Sequence, residues 1–214
     1  MGADMRKWIA VAAALLLAGC ASPTSETSSV VVAPYNASTI PFKTLQEFLA
    51  HRPVIATGRV VAVNDRAYEV PVDPNAEGNT ETDGPEIFGT VSFKVESVLK
   101  GDLVPGATMT IIYMSGKWNT LEKESRIAYT YEHMANLQKN DGTLKTPAEF
   151  NGATFAIFAQ PNEGSIPVKE NNLYRGRVAP IDAGGQVTFP RPAPFESSAT
   201  AAVKLDDIKA AIGR

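Results

Sequence analysis

Six runs of alternating or β-branched residues, punctuated by glycine- and proline-bearing turns, constrain this chain more than any other feature of its sequence. Residues 90–98 alternate cleanly, with Val91, Phe93 and Val95 on one face and Ser92, Lys94 and Glu96 on the other. After turns at Lys100-Gly101-Asp102 and Pro105-Gly106, residues 108–114 set Met109, Ile111 and Tyr113 against Thr108, Thr110 and Ile112. Residues 54–63 are a β-branched run broken by Gly58, the kind of kink by which a strand coils around a small barrel. Residues 153–159 make a mostly apolar strand behind Gly152. Residues 173–181 and 186–189 make a closing hairpin through Gly184-Gly185. Strands that follow one another without alternating helices predict a small antiparallel sandwich or barrel.

Two short helices are expected beside these strands. Thr44-Leu45-Gln46-Glu47 has capping-box spacing and starts a helix over residues 45–51, with Leu45, Phe48 and Leu49 on one face and Pro53 ending it. His51 lies at its C-terminal end and reads as a surface residue there. Residues 204–212 carry Leu205, Ile208, Ala211 and Ile212 at helical spacing, a packing helix.

The N-terminal region sets an address. Arg6 and Lys7 precede an uninterrupted apolar run from Ile9 to Leu17, and the small residues Ala18 and Gly19 lead into Cys20, the layout of a secretory signal. Asp4 is out of place in such a charged region, so translation is expected to start at Met5. The apolar run falls short of the roughly 20 residues that cross a bilayer. Leu17-Ala18-Gly19-Cys20 resembles the lipobox of bacterial lipoproteins. That resemblance implies acylation of Cys20, removal of residues 1–19 and attachment to a cell membrane or outer membrane on its periplasmic or surface face. Ala21 follows the cysteine, so the aspartate associated with inner-membrane retention is absent. Cys20 is the only cysteine, which leaves no disulfide and no spare thiol.

Residues 20–40 are rich in Ser, Thr, Pro and Ala and read as a flexible tether; Val30-Val31-Val32 within it fits either a first strand or a sticky patch of linker, and the linker is adopted because Pro34 and Asn36 follow at once. Residues 41–214 read as one domain, with insertions near 65–87 and 115–150. Losing Asp4, Arg6 and Lys7 with the signal takes the formal charge from −3 to −4. This mild acidity, with no run of Lys and Arg, argues against nucleic acid as a partner.

The order Gly58-Arg59-Val60-Val61, Val91 through Asp102, Gly106 through Ile111 and Gly152 through Phe158 resembles bacterial exported domains of the OB-like, netrin-module type. These are related in fold to tissue inhibitors of metalloproteinases. The resemblance spans roughly residues 54–189 and implies an all-β, five- to six-stranded OB-like barrel with short flanking helices. The animal inhibitors bind zinc through an N-terminal cysteine packed on the barrel and use disulfides. Cys20 stands at the far end of a tether, so inhibition by that route does not carry over.

Candidate chemistry is sparse. Asp73, Asn75, Glu77, Gly78, Asn79 and Glu81 space oxygen ligands as in a calcium loop, but the twelfth position is Gly84 where a bidentate glutamate is needed. With six acids and no base between Arg66 and Lys94, a solvated acidic loop is expected. The second insertion fits either a helix capped by Asn119 with Glu122 or a strand alternating through Ile127, Tyr129 and Tyr131, and the helix is adopted. Glu132-His133 is the one plausible catalytic pair, for a cell-envelope hydrolase or protease inhibitor acting through residues 115–150. No nucleophile elbow, zinc-protease helix, phosphate loop or dinucleotide fingerprint is present. The expectation is therefore a binding or interaction module with no catalytic residue, cofactor or metal site. Its partner would be a membrane, through Cys20, and a protein or glycan of the envelope. Tyr113, Trp118, Tyr129 and Tyr131 suit ligand binding or packing of the insertion equally.

Overall fold

The computed structural model describes residues 30–34, 42–71, 83–119, 125–130, 134–163, 168, 173–190, 194–195 and 202–213. The chain order is β1 (Val30–Pro34), α1 (Leu45–Ala50), β2 (Val54–Val70), β3 (Asp83–Lys100), β4 (Thr108–Asn119), β5 (Ser125–Thr130), β6 (Thr154–Pro161), β7 (Leu173–Ile181), β8 (Gln186–Thr188), β9 (Ala202–Lys204) and α2 (Leu205–Ile212).

Five strands close a barrel in the ring order β2-β3-β4-β7-β6, with β6 returning to β2. Numbered within the ring, this is 1-2-3-5-4-1, the order of an OB-type barrel, so the expected all-β fold is present. It is not wholly antiparallel. The seam joins β4 and β7 in parallel through Thr110↔Leu173 and Ile111↔Tyr174.

Gly58 bends β2 as its position foretold. A side chain there would press on the Lys94 carbonyl, and the β2–β3 register slips between Thr57 and Gly58 and again between Val60 and Ala62. The barrel interior is filled by inward residues of every ring strand, among them Val91, Phe93, Val95, Met109, Ile111, Phe155 and Ile157. A second apolar cluster lies outside the barrel, where Phe48 and Leu49 of α1 and Ile208 of α2 cover Ala156, Phe158 and Ala179. The fold thus holds two cores on opposite faces of β6 and β7, which explains the near-continuous burial of residues 155–159.

α1 is capped as its sequence required. The Glu47 amide donates to Thr44 Oγ1 at 3.1 Å, while the Glu47 carboxylate accepts from the Lys43 amide rather than from that of Thr44. At its other end Lys100 Nζ donates to the Leu49 and Ala50 carbonyls, a cation at a helix C-terminus. His51 is exposed in the C-cap position, with Nδ1 2.9 Å from the Glu47 carbonyl, in keeping with a surface role.

Three expectations need correction. Residues 125–130 are strand, not helix, because β5 pairs antiparallel with β4 and parallel with β1. Val30–Pro34, read as tether, is the edge strand β1 of the same sheet; Pro34 is tolerated because it ends an edge strand. The flanks of the first insertion, including Glu69 and Glu86, are not loop. They continue β2 and β3 beyond the barrel into a long hairpin paired at Glu69↔Ile87 and Val70↔Glu86.

Candidate functional site

The second insertion docks onto the barrel by apolar contacts and one polar junction. Met134, Leu137, Leu144 and Phe150 are buried in the inner core, so the segment after β5 plugs the barrel end. Beside them Asp65 of β2 gathers partners from two other segments, β4 and the second insertion. Its Oδ1 accepts from the Leu144 amide at 2.9 Å and the Tyr113 hydroxyl at 3.3 Å, and its carbonyl accepts from Ser115 Oγ at 2.7 Å. Arg126 of β5, 8% exposed, donates through Nη2 to the Ser115 carbonyl and Oγ. Burial lowers its guanidinium from the ordinary arginine value, and the Asp65 charge opposes that shift. Ser115 is fully buried and bonded to backbone carbonyls, an arrangement that ties strands together and leaves its hydroxyl unexposed to a substrate.

The aromatics of this region serve packing. Tyr113 is buried in the inner core, and Tyr129 packs against it while its carbonyl accepts from Gln138. Trp118 is half-buried. Arg66 lies 4.7 Å above its ring, and its backbone and Cβ crowd Gly84 so closely that any side chain there would collide. Arg66 also bonds Glu69 at 2.8 Å, which holds that carboxylate below its ordinary range. Tyr131, Glu132 and His133 lie outside the described residues, as do Cys20 and the calcium-like stretch of residues 73–81. Among the described residues no group of three or more His, Cys, Asp or Glu side chains is placed to hold a metal.

A different cluster forms at the end of the barrel where β6 stops and β7 starts. In the β6–β7 ladder Gln160 faces Arg175 and Phe158 faces Arg177, so all four share one face of the sheet, the face covered by α1. Arg52, just past α1, lays its guanidinium 5.0 Å from the Phe48 ring and 5.7 Å from the Phe42 ring, and donates to Gln160 Oε1 at 3.2 Å. Its Nε is buried and finds no acceptor among the described residues. Burial and then the Arg175 charge lower Arg52, and burial and then Arg52 lower Arg177 to about 10, both still protonated at neutral pH. Arg177 is only 9% exposed, whereas Arg175 is exposed.

Sequence reasoning missed this cluster because it looked for Lys and Arg close together along the chain. The nearest signal was Arg175-Gly-Arg177, two arginines at strand spacing within an otherwise apolar run. Arg52 joins them only through the packing of α1.

Compared with known proteins, the chain matches no protein-family model, no curated protein and no solved structure.

Proposed function

We propose that the chain is a lipid-anchored, extracytoplasmic binding module with no catalytic role, built on a barrel of the OB-like, netrin-module type. The anchor is Cys20, acylated after removal of residues 1–19. The single observation that carries the binding reading is the convergence of Arg52, Arg175 and Arg177 at one end of a packed barrel. Like charges brought together against an apolar surface destabilise the folded chain, and such an arrangement is characteristic of sites that bind the opposite charge.

The docking of β1 supports the anchored reading in a physical way. Only residues 21–29 separate Cys20 from Val30, a connection that spans at most about 35 Å when fully extended. The barrel is then held close to the membrane rather than on a long leash. Val30 sits in register with Arg126, which in turn faces Trp118, so the tether enters at the Trp118 end of β4.

Cell fractionation and mass spectrometry of the mature protein test this. The wild-type chain is expected in the membrane fraction with an acylated Cys20 at its N-terminus, and Cys20→Ser in the soluble fraction or as uncleaved precursor. An unmodified Cys20 in mature protein removes the anchor. A measured hydrolytic or inhibitory activity that His133→Ala abolishes without unfolding the chain removes the binding-only reading.

A further inference from the structure

Outside the barrel, α1 and α2 leave a cleft between them beside the end of β3. Its walls are Gln46, Leu49 and Ala50 of α1, Ala211 and Ile212 of α2, and Lys100, the last residue of β3. Residues 46, 49 and 50 share one face of α1, and residues 211 and 212 follow Ile208 at helical spacing on the face of α2 that packs against the outer core. The floor is apolar because Leu49 is buried there, and Ala50 and Ala211 are too small to fill the space between the helices. The cleft encloses about 170 Å³ and opens to solvent on one side. A cavity of about 150 Å³ accommodates benzene, so this one takes a body of about six carbon atoms.

One group in the cleft is charged. Lys100 Nζ donates to the Leu49 carbonyl at 2.9 Å and to the Ala50 carbonyl at 3.2 Å. An ammonium carries three protons, and the third meets no acceptor and no carboxylate among the described residues. Two bonds already fix the Nζ position, so little side-chain freedom remains to be lost when a ligand binds. None of the lining residues is acidic. The carboxylates on the same elements are engaged or turned to solvent: Glu47 accepts from the Lys43 amide at the start of α1, and Asp206 accepts from Lys209. Asp102 and Asp207 are exposed, and neither pairs with Lys100. Gln46, exposed at the rim, makes no side-chain hydrogen bond among the described residues, so its amide supplies a second donor.

We propose that this cleft binds a small apolar monocarboxylate of about six carbons. Its chain lies between α1 and α2, and its carboxylate accepts from Lys100 Nζ and the Gln46 amide, one charge-assisted bond and one neutral bond. Arg52, Arg175 and Arg177 do not line the cleft. The site therefore goes beyond the arginine convergence and is independent of acylation at Cys20.

The test uses the chain with Cys20→Ser and follows backbone amide shifts by NMR at neutral pH and constant ionic strength. Sodium hexanoate is titrated in one arm and the uncharged hexan-1-ol in the other. Hexanoate is expected to bind saturably in the millimolar range, about tenfold more tightly than hexan-1-ol, with the largest shifts at Gln46, Ala50, Lys100 and Ile212. Lys100→Met is expected to abolish that preference, weakening hexanoate about tenfold and leaving hexan-1-ol unchanged. Ala50→Trp fills the cleft from an exposed position and keeps the Lys100 bonds, which go to main-chain carbonyls; it is expected to remove saturable binding of both probes. Lys94→Ala, which removes an exposed lysine on the same strand, is expected to change neither. Circular dichroism verifies the fold of each variant, and if Lys100→Met loosens α1, Ala50→Trp still decides. No saturable binding of hexanoate, equal affinity for the two probes in the parent chain, or hexanoate binding retained by Ala50→Trp overturns the assignment. An unacylated Cys20, or arginines that bind no anion, would leave each of these results unchanged, so the proposals fail separately.

Discussion

Truncating Asp65 to alanine should loosen the second insertion from the barrel, and the cost can be worked from the bonds that Asp65 makes. The Leu144 amide, in a residue 3% exposed, loses an ionised acceptor 2.9 Å away, and a buried donor left in that state costs about 1–3 kcal/mol. The Tyr113 hydroxyl bond is longer, at 3.3 Å, and adds about 0.5 kcal/mol. Arg126 loses the one carboxylate that opposes its burial, which contributes about another 1 kcal/mol. The Ser115 bond survives, because it goes to the Asp65 carbonyl. The sum is about 2.5–4.5 kcal/mol, a large share of the 5–15 kcal/mol by which an ordinary domain is stable. Asp65→Asn keeps an oxygen acceptor and loses only the charge, so it should cost about half as much. Urea unfolding at neutral pH, with equal m-values for the three proteins, measures the differences. Amide exchange should place the loosening in residues 134–144. If Asp65→Ala lies within about 0.5 kcal/mol of wild type, or if Asn and Ala cost the same, the junction is not held by this acceptor and the reasoning fails.

Two further outcomes follow from the same contacts. Phe158→Ala empties the centre of the outer core, where the ring lies 5.2 Å from Phe48 and 5.1 Å from Phe189; thermal and urea unfolding should show a loss of about 3–5 kcal/mol, and a loss below about 1 would mean that α1 does not depend on this cluster. Glu149 accepts from the Thr146 amide at 2.7 Å and the Thr146 hydroxyl at 2.9 Å, and these bonds, with Lys139, hold its carboxyl below the ordinary range. A folded value below the unfolded one means that its contribution is complete above the unfolded value, near pH 4.3, and is lost as pH falls through the lowered folded value. Glu149→Gln should therefore speed amide exchange of the Pro147–Phe150 turn at neutral pH, with the difference from wild type closing in acid; a difference that persists unchanged there contradicts the capping role.

The alternation at residues 90–98 and 108–114 was legible because each strand has one face on the inner core, and a strand buried on one side must alternate. The capped helix at Thr44 and the Gly184-Gly185 hairpin were legible because turn and cap chemistry is local. β5 was misjudged for the opposite reason. The Asn119 and Glu122 spacing is a genuine local helix signal, but residues 125–130 are bonded on both sides by β4 and β1, and two ladders outweigh a single cap. β1 was passed over in favour of linker because three valines before a proline carry no period; what makes them strand is the open edge of β5.

The candidate sites divide in the same way. Tyr113, Trp118 and Tyr129 were equally compatible with packing and with a binding face; Tyr113 is buried in the inner core, Tyr129 packs against that core partly buried, and half-buried Trp118 lies beneath the Arg66 guanidinium. The arginine cluster had no signature along the chain, because Arg52 stands more than a hundred positions before Arg175 and Arg177.

The sequence by itself determined six of the strands and both helices, since each is encoded within a short stretch of residues, and its single cysteine leaves no disulfide within the chain. Only the tertiary structure decided which strands close the barrel, that residues 30–34 and 125–130 join the sheet, and that three arginines meet. Those outcomes depend on contacts between distant segments, where the energy gained from pairing and burial overrides local preference and where charges far apart in sequence are forced to share one surface.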